Sequence, residues 1–166
     1  MICSATINDL DSLLKITSAC AFHMEKQNIF QWNSHYPNAN TFEEDIKREE
    51  LFVYKINGDV IGCISVSTLM DDVYKHVSWL TPSINNIYIH RLAVHPDFQG
   101  IGIARKLMDF AEEKSKIEKR TSVRLDTFSK NLRNQKFYEH RGYKRLENIF
   151  FLKQSEHPFY CYELIL

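Results

Sequence analysis

Apolar positions along this chain follow two rhythms, one of three to four residues and one that alternates or runs unbroken. The first six residues read as a short strand. From Asn8, the apolar positions Leu10, Leu13, Leu14, Ile16 and Ala21 recur at helical spacing. NIFQWNSHYPNAN reads as a loop. TFEEDIKREE reads as a short acidic helix with Thr41 in its N-cap region, followed by Glu44 and Asp45. LFVYKI and VIGCISVST are β-branched and aromatic runs joined by Asn-Gly-Asp, which predicts a hairpin. LMDDVYKHVSWLTPSINN has no clean period and reads as a connection.

The second half is more regular. IYIHRLAV is the centre of a strand over 86–95. A helix over 101–118 follows, with Ile103, Leu107, Phe110 and Ala111 at helical spacing. SVRLDTF gives a strand over 121–127. NLRNQKFYEHRGY reads as a helix that ends at Gly142, where a left-handed cap is expected. YKRLENIFFLK and FYCYELIL read as two strands separated by QSEHP. The order is β-α-α-β-β-β-α-β-α-β-β. Hairpins favour antiparallel pairing, while the unit from 86 to 127 demands a parallel crossover. The expected fold is α/β (α+β). It has a mixed, mostly antiparallel central sheet of about seven strands, one parallel βαβ crossover and helices on both faces, in a single domain spanning 1–166.

Composition narrows the function. The 166 residues are 44% apolar and 25% charged, and 21 basic residues balance 21 acidic ones. This is a globular balance that gives no argument for nucleic acid or an anionic membrane. The cysteines Cys3, Cys20, Cys63 and Cys161 form no CxxC pair, and most sit in apolar runs, which fits buried thiols in a reducing compartment. The N-terminus lacks the pattern of a signal peptide, and no apolar run reaches the length of a membrane span. The expectation is a cytoplasmic protein. The histidines form no HExxH or paired spacing, so no metal site is expected.

The chemistry concentrates in HPDFQGIGIARKLM, which holds two of the five glycines between the predicted strand and helix. Such a turn presents free N–H groups and a positive dipole end, and glycine lets an anion approach the main chain. Taken alone, the loop is either a phosphate cradle or a tight turn without a ligand. No GK[ST] triplet is present, which argues against a Walker loop. Arg105 stands where the third small residue of a dinucleotide loop belongs. The remaining pattern, Gln/Arg-x-x-Gly-x-Gly/Ala, is met by Gln99, Gly102 and Ala104.

On this loop the chain resembles the GNAT superfamily of acyl-CoA-dependent N-acyltransferases. A second signature of that family is matched by Asn131, Phe137, Tyr138, Gly142 and Tyr143, although Asn134 stands where a small residue is usual. Asn131 and Tyr138 are about two helical turns apart on one face. The resemblance, strongest over 86–145, implies acetyl-CoA as co-substrate. It implies that Leu92, Ala93 and Val94 pair with the pantetheine arm through their backbone. The segment Gln99, Gly100, Ile101, Gly102, Ile103, Ala104 and Arg105 would cradle the pyrophosphate, and Asn131 and Tyr138 would also contact the cofactor.

Acyl transfer to an amine needs a neutral nucleophile, a donor for the oxyanion and a proton for the leaving thiolate. The resemblance makes Tyr138 the acid and lets the Val94 N–H serve the oxyanion. His90 shares a strand face with Tyr88 and titrates in the range of a base near pH 7, with a water route as the alternative. The acceptor, an amine-bearing small molecule or peptide, would enter opposite the cofactor. Trp32, Tyr36, Trp79 and Tyr88 are its candidate contacts, and packing at the core edge is the alternative for them. The implied activity is direct attack of a primary amine on acetyl-CoA in a ternary complex. The other reading is a non-catalytic acyl-CoA sensor or interaction domain. Monomer and homodimer both stay open.

Overall fold

The computed structural model describes residues 1–166. Eleven regular elements follow the predicted order. They are β1 (Ile2–Ser4), α1 (Leu10–Glu25), α2 (Ala39–Lys47), β2 (Leu51–Ile56), β3 (Asp59–Ser67), β4 (Asn86–Val94), α3 (Ile103–Ile117), β5 (Ser122–Phe128), α4 (Leu132–His140), β6 (Lys144–Ile149) and β7 (Phe159–Ile165). The strands run in the order β1-β2-β3-β4-β5-β7-β6. The β4–β5 pair is parallel, whereas the β1–β2, β2–β3, β5–β7 and β6–β7 pairs are antiparallel. The chain forms two compact units, Met1–Val66 with Arg91–Ala111 and Ser67–His90 with Glu112–Leu166.

In the first unit, Asp9 precedes α1. Its carboxylate accepts the Thr6 N–H at 2.9 Å and pairs with Lys55 at 2.7 Å. Leu13, Ile16, Thr17 and Cys20 then line the buried face of α1. Full burial of an aliphatic side chain of this kind stabilises by about 1.5–3 kcal/mol. The hairpin between β2 and β3 is a tight turn with Asn57 at φ +52° and Gly58 at φ +93°, as the Asn-Gly pair predicts. Further along β3, Gly62 faces the Ala93 carbonyl, and a Cβ at this position would lie 2.9 Å from that oxygen. One expectation is corrected here. The cap of α2 is Asn38, whose Oδ1 accepts the Thr41 N–H at 3.0 Å, and Thr41 itself lies in the first turn. Asn38 caps at least as well as threonine and stands three residues earlier, so the helix starts sooner.

In the second unit, β5 pairs with β7 from Ser122↔Ile165 to Phe128↔Phe159. The predicted strand over 143–153 stops at Ile149, which pairs with Phe159, the first residue of β7. Beyond it the partner strand has ended. Phe151–Gln154 fold into a turn, and Leu152 is left exposed. α4 ends as expected at Gly142, with φ +91° and the Tyr143 N–H returned to the Tyr138 carbonyl at 3.1 Å.

Candidate functional site

The glycine loop lies in the first unit, between the end of β4 and α3. After a single helical turn at Pro96–Phe98, the Gln99 amide donates to the Val94 carbonyl at 2.9 Å and closes the loop behind the strand. Gly100 has φ +82° and Gly102 has φ +87°, so α3 begins at Ile103 rather than at 101. A Cβ on Gly100 would meet nothing within 4 Å. The glycines therefore serve backbone direction, and the loop's outer side is open. The backbone N–H groups from Gly100 through Arg105 donate to no other protein atom. Three of them are the unpaired first-turn groups of α3, where the helix dipole favours an anion by about 0.3–1 kcal/mol. This cradle suits a phosphate or pyrophosphate.

The strand that feeds the loop carries a feature that sequence reasoning missed. Arg91, in the middle of β4, has φ +51°. For an L-residue that conformation costs roughly 1–2 kcal/mol. Its guanidinium is held by Asp45 of α2, with Nε 2.6 Å from Oδ2, and by the Tyr36 hydroxyl at 3.0 Å from Nη1. Asp45 is itself buried, and its other oxygen accepts from Arg48 at 2.8 Å. Leu92, Ala93 and Val94 begin at the next residue. Tyr36 thus bonds to the strand's anchor, and Trp32 packs in the core with Leu13, Ile16 and Phe42.

The second unit holds the other predicted residues. Asn131 caps α4, its Oδ1 accepting the Asn134 N–H at 3.1 Å. Tyr138 is buried against Phe137, Tyr143 and Tyr162, with ring centroids 5.3, 5.9 and 6.1 Å away. No protein group hydrogen-bonds its hydroxyl. Burial, reinforced by the negative charge of Asp126, pushes that hydroxyl well above the ordinary tyrosine range. His90 stacks on Tyr74 at 6.3 Å, and its Nδ1 lies 4.0 Å from Asp71 Oδ2. Tyr74 is fully buried and donates a hydrogen bond to Asp126. In the parallel ladder Tyr88 pairs with Arg124, so His90 and Asp126 each lie two residues beyond that pair on their own strands.

Tyr88 and Trp79 belong to a buried network around Arg124. Arg124 Nη1 donates to the Tyr88 hydroxyl at 3.2 Å, and the guanidinium lies 4.4 Å over the Trp79 ring. Glu163 completes the network by accepting from Arg124, Ser122, Thr81 and the Leu80 N–H. All four acceptor candidates are therefore engaged in packing or hydrogen bonding within their own unit. The thiols of Cys20 and Cys63 are pushed by burial to about 11 and about 12, which keeps them unreactive.

The model of the acetyltransferase (GNAT) family matches residues 10–143. The chain belongs to this family. The uncharacterized N-acetyltransferase YesJ of Bacillus subtilis is 22% identical over 86% of this chain and 80% of that protein. A GNAT-family acetyltransferase from Streptococcus agalactiae superposes over 100% of this chain and 95% of its own, with 23% identity and a TM-score of 0.81. The PaiA N-acetyltransferase of Thermoplasma acidophilum, solved with coenzyme A, covers 100% and 98%, with 18% identity and a TM-score of 0.75.

As a GNAT member the protein is an acyltransferase by family, and the seven-stranded mixed sheet with its single parallel pair is the fold of that family. The glycine loop of this GNAT chain has the donors for a coenzyme's phosphates. No group of three or more His, Cys, Asp or Glu side chains is placed to hold a metal ion, and no helix is long and apolar enough to cross a membrane.

Proposed function

We propose that this protein is a cytoplasmic N-acetyltransferase, a single functional domain over 1–166, that moves an acetyl group from acetyl-CoA to a primary amine by direct attack. The observation that carries the reading is the run of undonated N–H groups from Gly100 to Arg105, closed behind β4 by Gln99. That run supports pyrophosphate binding within a family of acetyltransferases. The acceptor is an amine-bearing small molecule or peptide. Four unpaired cysteines agree with a reducing compartment.

Bound acetyl-CoA supplies an acetyl group already activated as a thioester. The chain's own residues supply the rest. The backbone of Leu92–Val94 orients the arm, and the Val94 N–H is the donor for developing negative charge on the carbonyl oxygen. His90, backed by Asp71, takes the proton of the attacking amine. The Tyr138 hydroxyl is protonated at neutral pH, as tyrosines ordinarily are, and no protein partner competes for it, so it is the donor available to the departing thiolate.

The test has two stages. Acetyl-CoA should raise the melting temperature by several degrees, whereas NAD and ATP should not. Thiol release with a panel of primary amines should then exceed release without amine. A thermal shift with NAD or ATP instead would refute the cofactor assignment. A shift with acetyl-CoA but no amine-dependent thiol release across the panel would favour the sensor reading.

A further inference from the structure

Three segments of the first unit converge on the Arg91 side chain. Asp45 brings α2, with Arg91 Nε and Nη2 both 2.6 Å from its Oδ2. Tyr36 brings the loop between α1 and α2, at 3.0 Å, and Ser65 brings β3, at 3.3 Å. The Arg91 side chain is 9% exposed. A planar fork with acceptors on three elements fixes their relative positions more sharply than a point charge would. The carboxylate of Asp45 extends the network to Arg48, and Arg48 extends it to Glu50.

The backbone of the same residue is in the left-handed region. Nothing local favours this, since Arg91 is flanked by His90 and Leu92 and is neither Gly nor Asn. The tertiary contacts of the side chain hold the bend. Leu92–Val94 leave it directly, so their direction follows the backbone bend, while the guanidinium ties that bend to the loop.

The Tyr36 loop is itself a compact body. Asn33 Oδ1 accepts the N–H groups of His35 and Tyr36 at 2.8 and 3.1 Å, and the Asn33 and Tyr36 backbones pair with each other. It walls a cavity of about 250 Å³ whose lining includes Leu14, Thr17, Ser18, Asn33, Ser34 and Asn38. Tyr36 lies in the same short loop, between the lining residues Ser34 and Pro37.

We infer that Arg91 is a positioning residue that couples the cofactor strand Leu92–Val94 to the loop Asn33–Asn38, so that seating coenzyme A on the strand also fixes the shape of the loop's cavity. This rests on the reading that the strand binds coenzyme A. Backbone and side chain have separable parts in it. The left-handed bend sets cofactor affinity, and the guanidinium transmits position to the loop.

The test uses coenzyme A as the probe, with affinity read by calorimetry and loop order by amide hydrogen exchange. In the wild-type protein, coenzyme A should slow exchange of the His35 and Tyr36 amides by about fivefold or more. Arg91→Gly keeps the left-handed bend at no steric cost, so its Kd for coenzyme A should stay within about twofold while the loop loses its protection. Arg91→Ala must pay for the bend, and its Kd should rise about tenfold. Tyr36→Phe retains the Asp45 and Ser65 contacts, which guards against a folding failure. It should keep the Kd and lose the loop protection. Equal protection of the loop in wild type, Arg91→Gly and Tyr36→Phe would overturn the coupling. So would coenzyme A binding to the wild type without any slowing of loop exchange. Absence of coenzyme A binding in the wild type would instead refute the proposed function, and the coupling with it.

Discussion

Arg124 and Glu163 form an ion pair, 2.9 Å from Nε to Oε1, in which neither side chain is exposed. The pair sits on neighbouring strands, β5 and β7, and also holds the Leu80–Ser83 stretch through Leu80, Thr81 and Ser83. A buried pair is costly to break from one side, because the remaining charge is stranded. Glu163→Gln should therefore destabilise the protein by about 3–5 kcal/mol, or roughly ten degrees in Tm. Differential scanning calorimetry checks this, and a Tm within about two degrees of wild type would contradict the role given to the pair.

Acid sensitivity follows from the same carboxylate. Burial alone would raise the Glu163 pKa, but the hydrogen bonds from Ser122, Thr81, Arg124 and the Leu80 N–H outweigh it and hold the group below the ordinary glutamate value. Asp9 behaves likewise, with burial overcome by Lys55 and Thr6. A depressed folded-state pKa contributes stability that is present above the unfolded value, about 4 for these groups, and is lost as pH falls through the folded value. Urea denaturation should show stability falling steeply below about pH 4.5, with a shallower fall in Asp9→Asn. A wild-type profile that is flat down to about pH 3 would be inconsistent with both shifts.

The glycines of the loop offer a controlled comparison. Gly102 at φ +87° and Gly58 at φ +93° carry similar backbone strain for any other residue, and a Cβ at either makes no tight contact. Alanine at either should cost about 1–2 kcal/mol of stability. Only Gly102→Ala should also raise the Kd for coenzyme A, by about tenfold, because only that turn aims N–H groups at the ligand. Equal effects of the two substitutions on coenzyme A binding would remove the loop from the cofactor site.

Tyr138→Phe keeps the ring contacts with Phe137, Tyr143 and Tyr162 and removes only the hydroxyl. Its kcat should drop by about 10²-fold or more with KM for acetyl-CoA little changed. Thiol release under saturating amine is the measurement. Matching kinetics in the two proteins would take the acid role away from this residue.

His90→Ala should lower kcat near neutral pH by about 10²-fold while sparing coenzyme A affinity. It should also abolish the loss of rate on acidification that a histidine base produces. An unchanged pH–rate profile would point to a water route for the proton.

Much of this was readable in the chain because it depends on local chemistry. The Asn57-Gly58 turn, the Gly142 cap and the Gly100/Gly102 loop all need positive φ, and glycine or asparagine in sequence announces it. The features that are not legible in the sequence depend on distant partners. Arg91 adopts a glycine-like conformation because Asp45 and Tyr36, 46 and 55 positions away, hold its side chain. Arg124 looks misplaced in an apolar strand until Glu163, 39 positions on, is brought beside it. Trp32, Tyr36, Trp79 and Tyr88 are aromatic residues whose type alone fits either an acceptor wall or the core edge, and the structure gives each a partner that no local pattern encodes. β6 ends early for the same kind of reason, since an apolar run is a strand only as far as its neighbour extends.

Gly62 lies on β3, carries no proposed chemical role of its own and contributes no side chain to anything. Yet a single methyl group there would press within 2.9 Å of the Ala93 carbonyl, and Leu107 and Val94 side-chain atoms at 3.3 and 3.4 Å leave it little room to turn aside. The spacing between β3 and the end of β4 is thus gauged by an absent atom, and a change as slight as glycine to alanine would be felt directly at Ala93 and Val94.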